Sequence, residues 1–378
     1  MPRKAASPAR TKKNAKPKPA PSPHSYPNGV TMSTLAAELN LSRAAVSYAL
    51  SGDWEERRRI SEATRQMVLE KAGELGYRRN RIATSLRTQK TRAIGIVLVG
   101  LGTESHILFR GIESVLGEDF TLLFGASHYD VARERRVLDS FDEYRVEGIL
   151  LLGTGSRENL PTLRALVAKG LPLVQIDRYF SELQTSVVEA DNEGLGAMLT
   201  EHLIGLGHRR IFYIRSPHDH SGNLARATGY EKQMRRHRLK PECFPPSPVD
   251  HTDPDSYAGY YAEQMRRILA IHPPPFGVIG NSTAVIPSAL AVVEEAGYRC
   301  PEDVAFCAAG LKVEVPYPHL MRFRFSVAQW STEEMGRKAA QLLLTQIEDR
   351  RASRAMTPQH LVVRGRMVPG QSTARVVD

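Results

Sequence analysis

This 378-residue sequence has no long apolar run and no cysteine framework, and its first thirty residues lack the apolar core that a secretory signal needs. No segment approaches the roughly 18 apolar residues that cross a bilayer, so we expect no membrane partner. The three cysteines, Cys243, Cys300 and Cys307, form no C-x-x-C pair. An odd number of such thiols predicts neither disulfides nor a zinc site and favours a reducing compartment. Without an apolar leader, we expect a cytoplasmic protein.

Positive charge is concentrated at one end of the chain. Residues 1–92 contain 19 Lys and Arg against 7 Asp and Glu, whereas the remainder contains 32 against 34. This asymmetry is typical of a protein whose basic end contacts the phosphate backbone of a nucleic acid. Residues 1–29 are rich in Pro, Lys, Ala and Ser and have no apolar periodicity. They predict a disordered basic tail.

Three short helical patterns follow the tail, at about residues 32–40, 43–50 and 62–75. Thr31, Ser42 and Ser61 precede them as N-cap candidates. Two short helices joined by a tight turn predict a helix-turn-helix, in which the second helix enters the major groove of DNA. A small helical bundle without DNA contacts remains the alternative. The candidate DNA-contact residues of this region are Thr31, Ser42, Arg43, Ala44, Ser47 and Tyr48.

From Arg92 onward, short β-branched runs alternate with longer amphipathic segments. This alternation predicts an α/β fold with parallel sheets covered by helices. The length suits two doubly wound lobes, with a ligand in the crevice at the carboxyl ends of the strands. The predicted organisation is a tail at 1–29, a helix-turn-helix domain at 30–79, a hinge and linker at 80–92, a two-lobed core at 93–370 and a C-terminal tail at 371–378.

Several motifs in order resemble the lac repressor (LacI/GalR) family of bacterial transcription regulators. TMSTLAAELNLSRAAVSYALSG at 31–52 resembles its first two helices, and ISEATRQMVLEKAGELGY at 60–77 its third. NRIATSLRTQKTRAIG at 80–95 is similar to its hinge helix and first core strand, and the similarity continues through 187–211 and the R-x-x-G-Y run at 226–230. The resemblance implies a core like that of periplasmic sugar-binding proteins and a homodimer on double-stranded operator DNA. Thr34, Ala45 and Tyr48 depart from the family pattern, so the operator is not implied.

For the hinge, the resemblance implies DNA contacts by Asn80, Arg81, Ala83, Leu86 and Arg87. Leu86 stands where the family inserts a leucine into the minor groove, and Arg81 and Arg87 would hold adjacent phosphates. Packing of Leu86 in an interdomain contact is the alternative.

For the core, the resemblance implies effector contacts by Asp177, Arg226 and Asn281. A carboxylate, a guanidinium and an amide suit a sugar or sugar derivative, because they offer hydrogen-bond donors and acceptors together. A second family carboxylate is replaced within Ala308-Ala309-Gly310, and an aromatic pair is missing near Glu104 and Ser105. An acidic sugar derivative, or a regulator with no ligand, therefore remains possible.

Two other function classes would require sequence features that differ from these. Gly100-Leu-Gly-Thr-Glu-Ser105 follows a strand as a dinucleotide fingerprint does, but Ser105 replaces the third glycine and no acidic residue ends the next strand. We therefore predict no cofactor and no NAD(P)-dependent oxidoreductase activity. A free sugar-binding protein would share the core but not the basic head. His218-Asp219-His220 lacks companion ligands, so no metal is predicted, and no catalytic residues are assigned.

Overall fold

The computed structural model describes residues 30–50, 58–78, 90–218, 220–244, 249, 254–310 and 324–376. The chain divides into two compact units, Met1–Arg87 and Thr88–Asp378. In the first unit, the described residues form the helices α1 (Met32–Leu39), α2 (Arg43–Ala49) and α3 (Glu62–Glu74).

The three helices of the first unit begin where the sequence predicts. Thr31 and Thr34 form a capping box at α1, and the Ser42 hydroxyl accepts a hydrogen bond from the Ala45 amide at 3.1 Å. Asn40 ends α1 in the left-handed region, with φ of 53°, which turns the chain toward α2. Leu35, Val46, Val68 and Leu75 are buried together and form the core of this unit.

The second unit contains two parallel β-sheets covered by helices. The first sheet has the strand order β11-β5-β4-β3-β1-β2 and the second has β12-β10-β9-β8-β6-β7. Only the β10–β12 pair is antiparallel among the pairs formed by described residues. The strands are β1 (Ala93–Leu98), β2 (Thr121–Ala126), β3 (Gly148–Leu151), β4 (Leu173–Ile176), β5 (Ser186–Ala190), β6 (Ile211–Ile214), β7 (Glu242–Phe244), β8 (Phe276–Gly280), β9 (Val304–Ala309), β10 (Ser326–Gln329), β11 (His360–Val363) and β12 (Arg366–Val368).

Helices cover both faces of each sheet. They are α4 (Thr103–Leu116), α5 (Val131–Glu143), α6 (Leu160–Ala168), α7 (Asn192–Gly205), α8 (Ser221–Arg236), α9 (Pro254–Ile271), α10 (Val285–Glu295) and α11 (Thr332–Arg351). A 3-10 turn at Arg157–Asn159 precedes α6. We call the first sheet with α4, α5, α6 and α11 the first lobe, and the second sheet with α7 to α10 the second lobe. The predicted two-lobed α/β fold is confirmed.

The chain passes between the lobes at three crossovers. It leaves the first lobe between β5 and α7, returns between β10 and α11, and leaves again between β11 and β12. One hydrophobic cluster is continuous across both lobes and includes Ile96 and Leu108 of the first lobe and Leu199 and Tyr213 of the second. Separate clusters fill the remaining faces. The carboxyl ends of both sheets therefore border one cleft.

No helix within the described residues is long and apolar enough to cross a membrane.

Candidate functional site

Two of the three predicted effector residues directly follow strands, and the third lies on a helix that begins near the end of a neighbouring strand. Asp177 directly follows β4, Asn281 directly follows β8, and Arg226 lies in α8, which begins near the end of β6. Asp177 adopts the left-handed conformation, with φ of 60°. Its Oδ1 atom is buried and has no hydrogen-bond partner. A buried carboxylate oxygen without a donor is costly, so it needs a group that can donate to it.

Arg226 is only 5% exposed and is held from several sides. Its Nε donates to Asn192 Oδ1 at 2.7 Å, and its Nη1 donates to the carbonyl oxygen of Asn281 at 2.8 Å. Its guanidinium lies 5.3 Å from the ring centroid of Trp330. These contacts fix the guanidinium at the junction of the crossovers, where Asn192 and Trp330 stand.

Asn281 is 2% exposed, and its amide is engaged within the protein. The Oδ1 atom accepts from the Tyr213 hydroxyl at 2.8 Å, and Nδ2 donates to Asn223 Oδ1 at 2.7 Å. Asn281 therefore orients Arg226 through its carbonyl. Direct contact between its side chain and a ligand stays a prediction.

Close packing of two helices sets the position of Arg226. A Cβ atom on Gly196 of α7 would lie 2.0 Å from the Arg226 carbonyl oxygen, and one on Gly229 of α8 would lie 2.0 Å from the Glu193 carbonyl oxygen. Such distances are far below van der Waals contact, so only glycine permits the approach. This gives a physical reason for the glycine in the R-x-x-G-Y run.

The cleft contains two charged residues, Arg178 and Glu104, that were not among the predicted effector contacts. Arg178 Nη2 donates to the Tyr129 hydroxyl at 3.0 Å, and its Nη1 donates to the Gly153 carbonyl at 3.3 Å. Glu104, at the start of α4, is solvent-accessible, yet desolvation by the surrounding protein and the charge of Asp177 raise the pKa of its carboxyl. Arg226 and Arg178 partly oppose this shift.

Aromatic and histidine side chains join the lobes across the cleft. The Tyr129 ring of the first lobe stacks on the His218 ring of the second, with centroids 4.2 Å apart and planes 9° from parallel. The Tyr179 amide donates to Ser221 Oγ at 3.0 Å. His220 is buried and caps α8 by accepting from the Asn223 amide at 3.4 Å. His218 and His220, for which the sequence predicts no metal, therefore belong to the cleft.

The sequence contains a signal for some of these additional cleft residues but not for all of them. Arg178 adjoins Asp177, and Glu104 follows the Gly100-x-Gly102 turn at the end of β1, where a ligand-facing position is expected in such folds. The pairing of Tyr129 with His218 joins loops about 90 positions apart, and nothing in the local sequence indicates it. Within the described part of the chain, no group of three or more His, Cys, Asp or Glu residues is arranged to hold a metal ion.

In the first unit, the candidate DNA-contact residues of α2 lie at its start and on one side of it. Arg43 and Ala44 are exposed, and Ser47 and Tyr48 are half-buried. Arg59 Nη1 donates to the Tyr48 hydroxyl at 3.1 Å, so Arg59, which precedes α3, orients Tyr48.

Thr31 and Ser42 are exposed, and their hydroxyls cap α1 and α2. The hinge candidates Asn80, Arg81, Ala83, Leu86 and Arg87 lie outside the described residues.

Comparisons with known proteins agree with this architecture. A family model for a periplasmic binding protein-like domain matches residues 200–373. The chain is 31% identical over 347 residues to the HTH-type transcriptional regulator CelR of Thermobifida fusca, covering 88% of this chain and 97% of that protein. It is 28% identical to the HTH-type transcriptional regulator PtxS of Pseudomonas aeruginosa over 90% of this chain and 96% of that one.

Solved structures give the same result at the level of the fold. A CelR–cellobiose complex matches with a TM-score of 0.62 and 25% identity, covering 91% of this chain and 99% of that chain. The lac repressor bound to ONPG matches with a TM-score of 0.74 and 18% identity over 91% and 99% of the two chains. Because the identity to CelR extends over nearly all of both sequences, the chain belongs to the LacI/GalR family of DNA-binding transcriptional regulators.

Proposed function

We propose that this protein represses transcription under the control of a small, neutral, hydroxyl-rich effector that binds between the two lobes. The observation that carries the proposal is the buried Asp177 Oδ1, which has no donor among the described residues. A ligand hydroxyl supplies such a donor, and a hydrogen bond to a charged oxygen contributes about 1.5–3 kcal/mol.

The charge balance of the cleft favours a neutral ligand. The sequence indicates a surplus of positive charge, because Gly310 stands where the family has a carboxylate. Glu104 of the first lobe brings a further carboxyl group, which interacts electrostatically with Asp177, Arg178 and Arg226. The cleft therefore offers two carboxyl groups beside two guanidinium groups. A sugar can engage both kinds of group at once. The cellobiose in the complex of the relative CelR points in the same direction.

The cleft is best tested by calorimetric titration with neutral sugars, uronic acids and sugar phosphates. We expect a neutral sugar to bind, and both Arg226→Ala and Asp177→Asn to weaken it at least tenfold. Arg209→Ala, at an exposed arginine of the second lobe, is the matched control for Arg226→Ala. Tighter binding of uronic acids than of neutral sugars would contradict the neutral-ligand proposal. Binding to no member of the panel would favour a regulator without a ligand.

For the DNA, we propose that α2 enters the major groove and that Arg43, Ala44, Ser47 and Tyr48 contact base edges or phosphates. One short helix reads too few base pairs for useful specificity, so two heads are expected on a pseudo-palindromic operator. Footprinting on DNA next to the gene for this chain tests the idea. Ser47→Ala and Arg43→Ala should remove protection, and the control Lys71→Ala, on α3, should retain it.

We also propose that the cleft catalyses no reaction and that the protein works in the cytoplasm, beside its DNA. Both relatives are named as transcriptional regulators. Burial raises the pKa of the Cys243 and Cys300 thiols to about 12 and also raises that of Cys307, so none is a thiolate nucleophile at neutral pH. Turnover of a sugar or nicotinamide substrate by the purified protein would contradict this.

A further inference from the structure

A second cavity adjoins two of the three crossovers. It has a volume of about 450 Å³, and Asp177, Arg226 and Asn281 do not line it. Its walls come from α4, from the β10–α11 crossover and from the β11–β12 crossover. We call it the hinge groove and define it by Arg110, Trp330, Thr332, Arg364 and Arg366.

Positive charge predominates in the hinge groove. Arg364 and Arg366 are exposed, and neither forms an ion pair with a carboxylate of the described residues. The Nε and Nη2 atoms of Arg366 face the side-chain amide of Gln329, which is neutral. Arg110 is paired with Glu333 at 3.4 Å. Two guanidinium groups therefore remain uncompensated.

The beginning of α11 adds hydrogen-bond donors to the same wall. Thr332 is the first residue of this 20-residue helix and is 8% exposed, and its buried hydroxyl has no partner. Ser331 caps the helix by accepting from the Glu334 amide at 3.1 Å. First-turn amides lack intrahelical acceptors, and the helix dipole favours an anion beside them. The groove thus combines arginine forks with a helix N-terminus, which together suit a phosphoryl group.

Two apolar side chains form part of the wall between these polar groups. Ile107 and the half-buried Trp330 ring line the groove. The volume lies within the usual range for small-molecule sites, about 300–1,000 Å³. We infer that the hinge groove binds a small organic phosphate, whose phosphoryl group pairs with Arg364 and Arg366 while its carbon skeleton packs on Trp330.

A ligand in the hinge groove would influence both lobes. The groove is built from segments that connect them, and Trp330 also contacts the guanidinium of Arg226 in the effector cleft. Binding in the groove and in the cleft would therefore be coupled through Trp330, and each ligand would change the affinity for the other by the same factor. This inference rests on residues outside the proposed effector site and stands or falls separately.

Tryptophan fluorescence offers a direct test, because the chain has only two tryptophans, Trp54 and Trp330. In the full chain with Trp54→Phe, Trp330 is the single reporter. We expect 4-nitrophenyl phosphate to quench its emission saturably. The double variant Arg364→Gln/Arg366→Gln should raise the dissociation constant at least tenfold. Arg164→Gln, at an exposed arginine of α6 in the first lobe and outside the groove, should leave it unchanged.

The neutral analogue 4-nitrobenzyl alcohol separates phosphate recognition from stacking on the indole. Equal quenching by the alcohol, no saturation, or undiminished binding by the double variant would overturn the inference. Loss of phosphate binding in Arg226→Ala, with the double variant unaffected, would place the phosphate in the cleft and would also overturn it. The two arginines are exposed, so the double variant should fold, and its circular dichroism spectrum checks this.

Discussion

His220 is a buried histidine in a positively charged environment. Desolvation first, and then the charges of Arg178, Arg226 and His218, hold the pKa of its imidazole well below the usual value. The folded protein therefore keeps His220 neutral at a pH at which the unfolded chain already binds a proton. Stability is lost as the pH falls below about 6.5, because protons then favour the unfolded state.

His220→Asn should reduce this acid sensitivity, because asparagine retains an N-cap oxygen without titrating. Between pH 7 and pH 5, the wild type should lose up to about 2 kcal/mol more unfolding free energy than the variant. Urea denaturation at each pH measures the difference. His202 and His208, whose pKa values are also lowered, contribute in the same direction in both proteins. Exposed His106→Asn is the control, and equal pH dependence of wild type and His220→Asn would contradict the argument.

The sequence predicts the position of some single residues in the fold but not the contacts of others. The resemblance to the LacI/GalR family assigned Asp177 and Asn281 to the cleft, and their positions directly after strands agree with it, because parallel strands end at a common edge. Glu104 and Tyr129 could not be paired with their electrostatic or ring partners, because those contacts depend on how the lobes close. The sequence indicated a cleft short of one carboxylate, whereas Glu104 supplies one from the opposite lobe.

At the scale of elements, the capped helices of the first unit were predicted best, whereas the largely buried strands β5 and β10 were not predicted. Helices α1 to α3 end within one residue of the expected bounds, because Thr31, Ser42 and Ser61 mark their starts chemically. The short strands β11 and β12 were not predicted, since three or four half-exposed residues carry little periodic signal. Helix α11 was also not predicted, although its small residues Gly336 and Ala339 pack in the core.

Because α7 and α8 are in close contact, one methyl group added at Gly196 should have a strong effect on stability and effector binding. Gly196→Ala should push α8 away, because its Cβ would lie 2.0 Å from the Arg226 carbonyl oxygen. We expect a loss of about 1–3 kcal/mol in stability and at least a tenfold loss of effector binding, measured by urea denaturation and calorimetry.

Gly205 is the matched control, because it ends the same helix and a Cβ there would meet nothing within 4 Å. Gly205→Ala should leave effector binding unchanged and stabilise the helix by up to about 1 kcal/mol. Equal effects of the two substitutions would show that helix propensity, rather than the close approach, governs Gly196.

The edge strand β2 is the element that we expect to mediate dimerisation. Its Phe124 side chain is 47% exposed and packs edge-on against Phe109, with centroids 4.9 Å apart. An apolar side chain on an unpaired sheet edge favours association. Phe124→Lys should therefore convert a dimer into a monomer in sedimentation at micromolar concentration.

The opposite edge of the same sheet gives the control. Val362 on β11 is also 47% exposed, and Val362→Lys should leave the dimer intact. If both variants remain dimeric, the interface lies elsewhere. A wild-type protein that sediments as a monomer would contradict dimerisation itself.

For the whole molecule, the distribution of charge predicts how DNA binding depends on salt. The first 29 residues contain seven Lys and Arg and no Asp or Glu, although they lie outside the described residues. Each neutralised phosphate releases counterions and adds about 0.9 to the slope of log K against log salt concentration. Deleting residues 1–29 should therefore flatten this slope by about one or more.

Replacing the seven basic residues by Gln at constant length separates charge from chain length. This variant should match the deletion, and filter-binding assays over a range of salt concentrations provide the measurement. An unchanged slope in both variants would show that the tail does not contact DNA.

Because the chain crosses between the lobes three times, translation completes the first lobe only near the C-terminus of the chain. Strand β1 belongs to a sheet that is completed only by β11, and one face of that sheet is covered by α11. All of the second lobe's strands except β12 are translated in between. At the usual rate of about 5–20 residues per second, the ribosome needs roughly 10–50 s to proceed from β1 to α11. During that interval the first lobe exposes an unsealed apolar face, so we expect the nascent chain to depend on chaperones until its last fifty residues emerge.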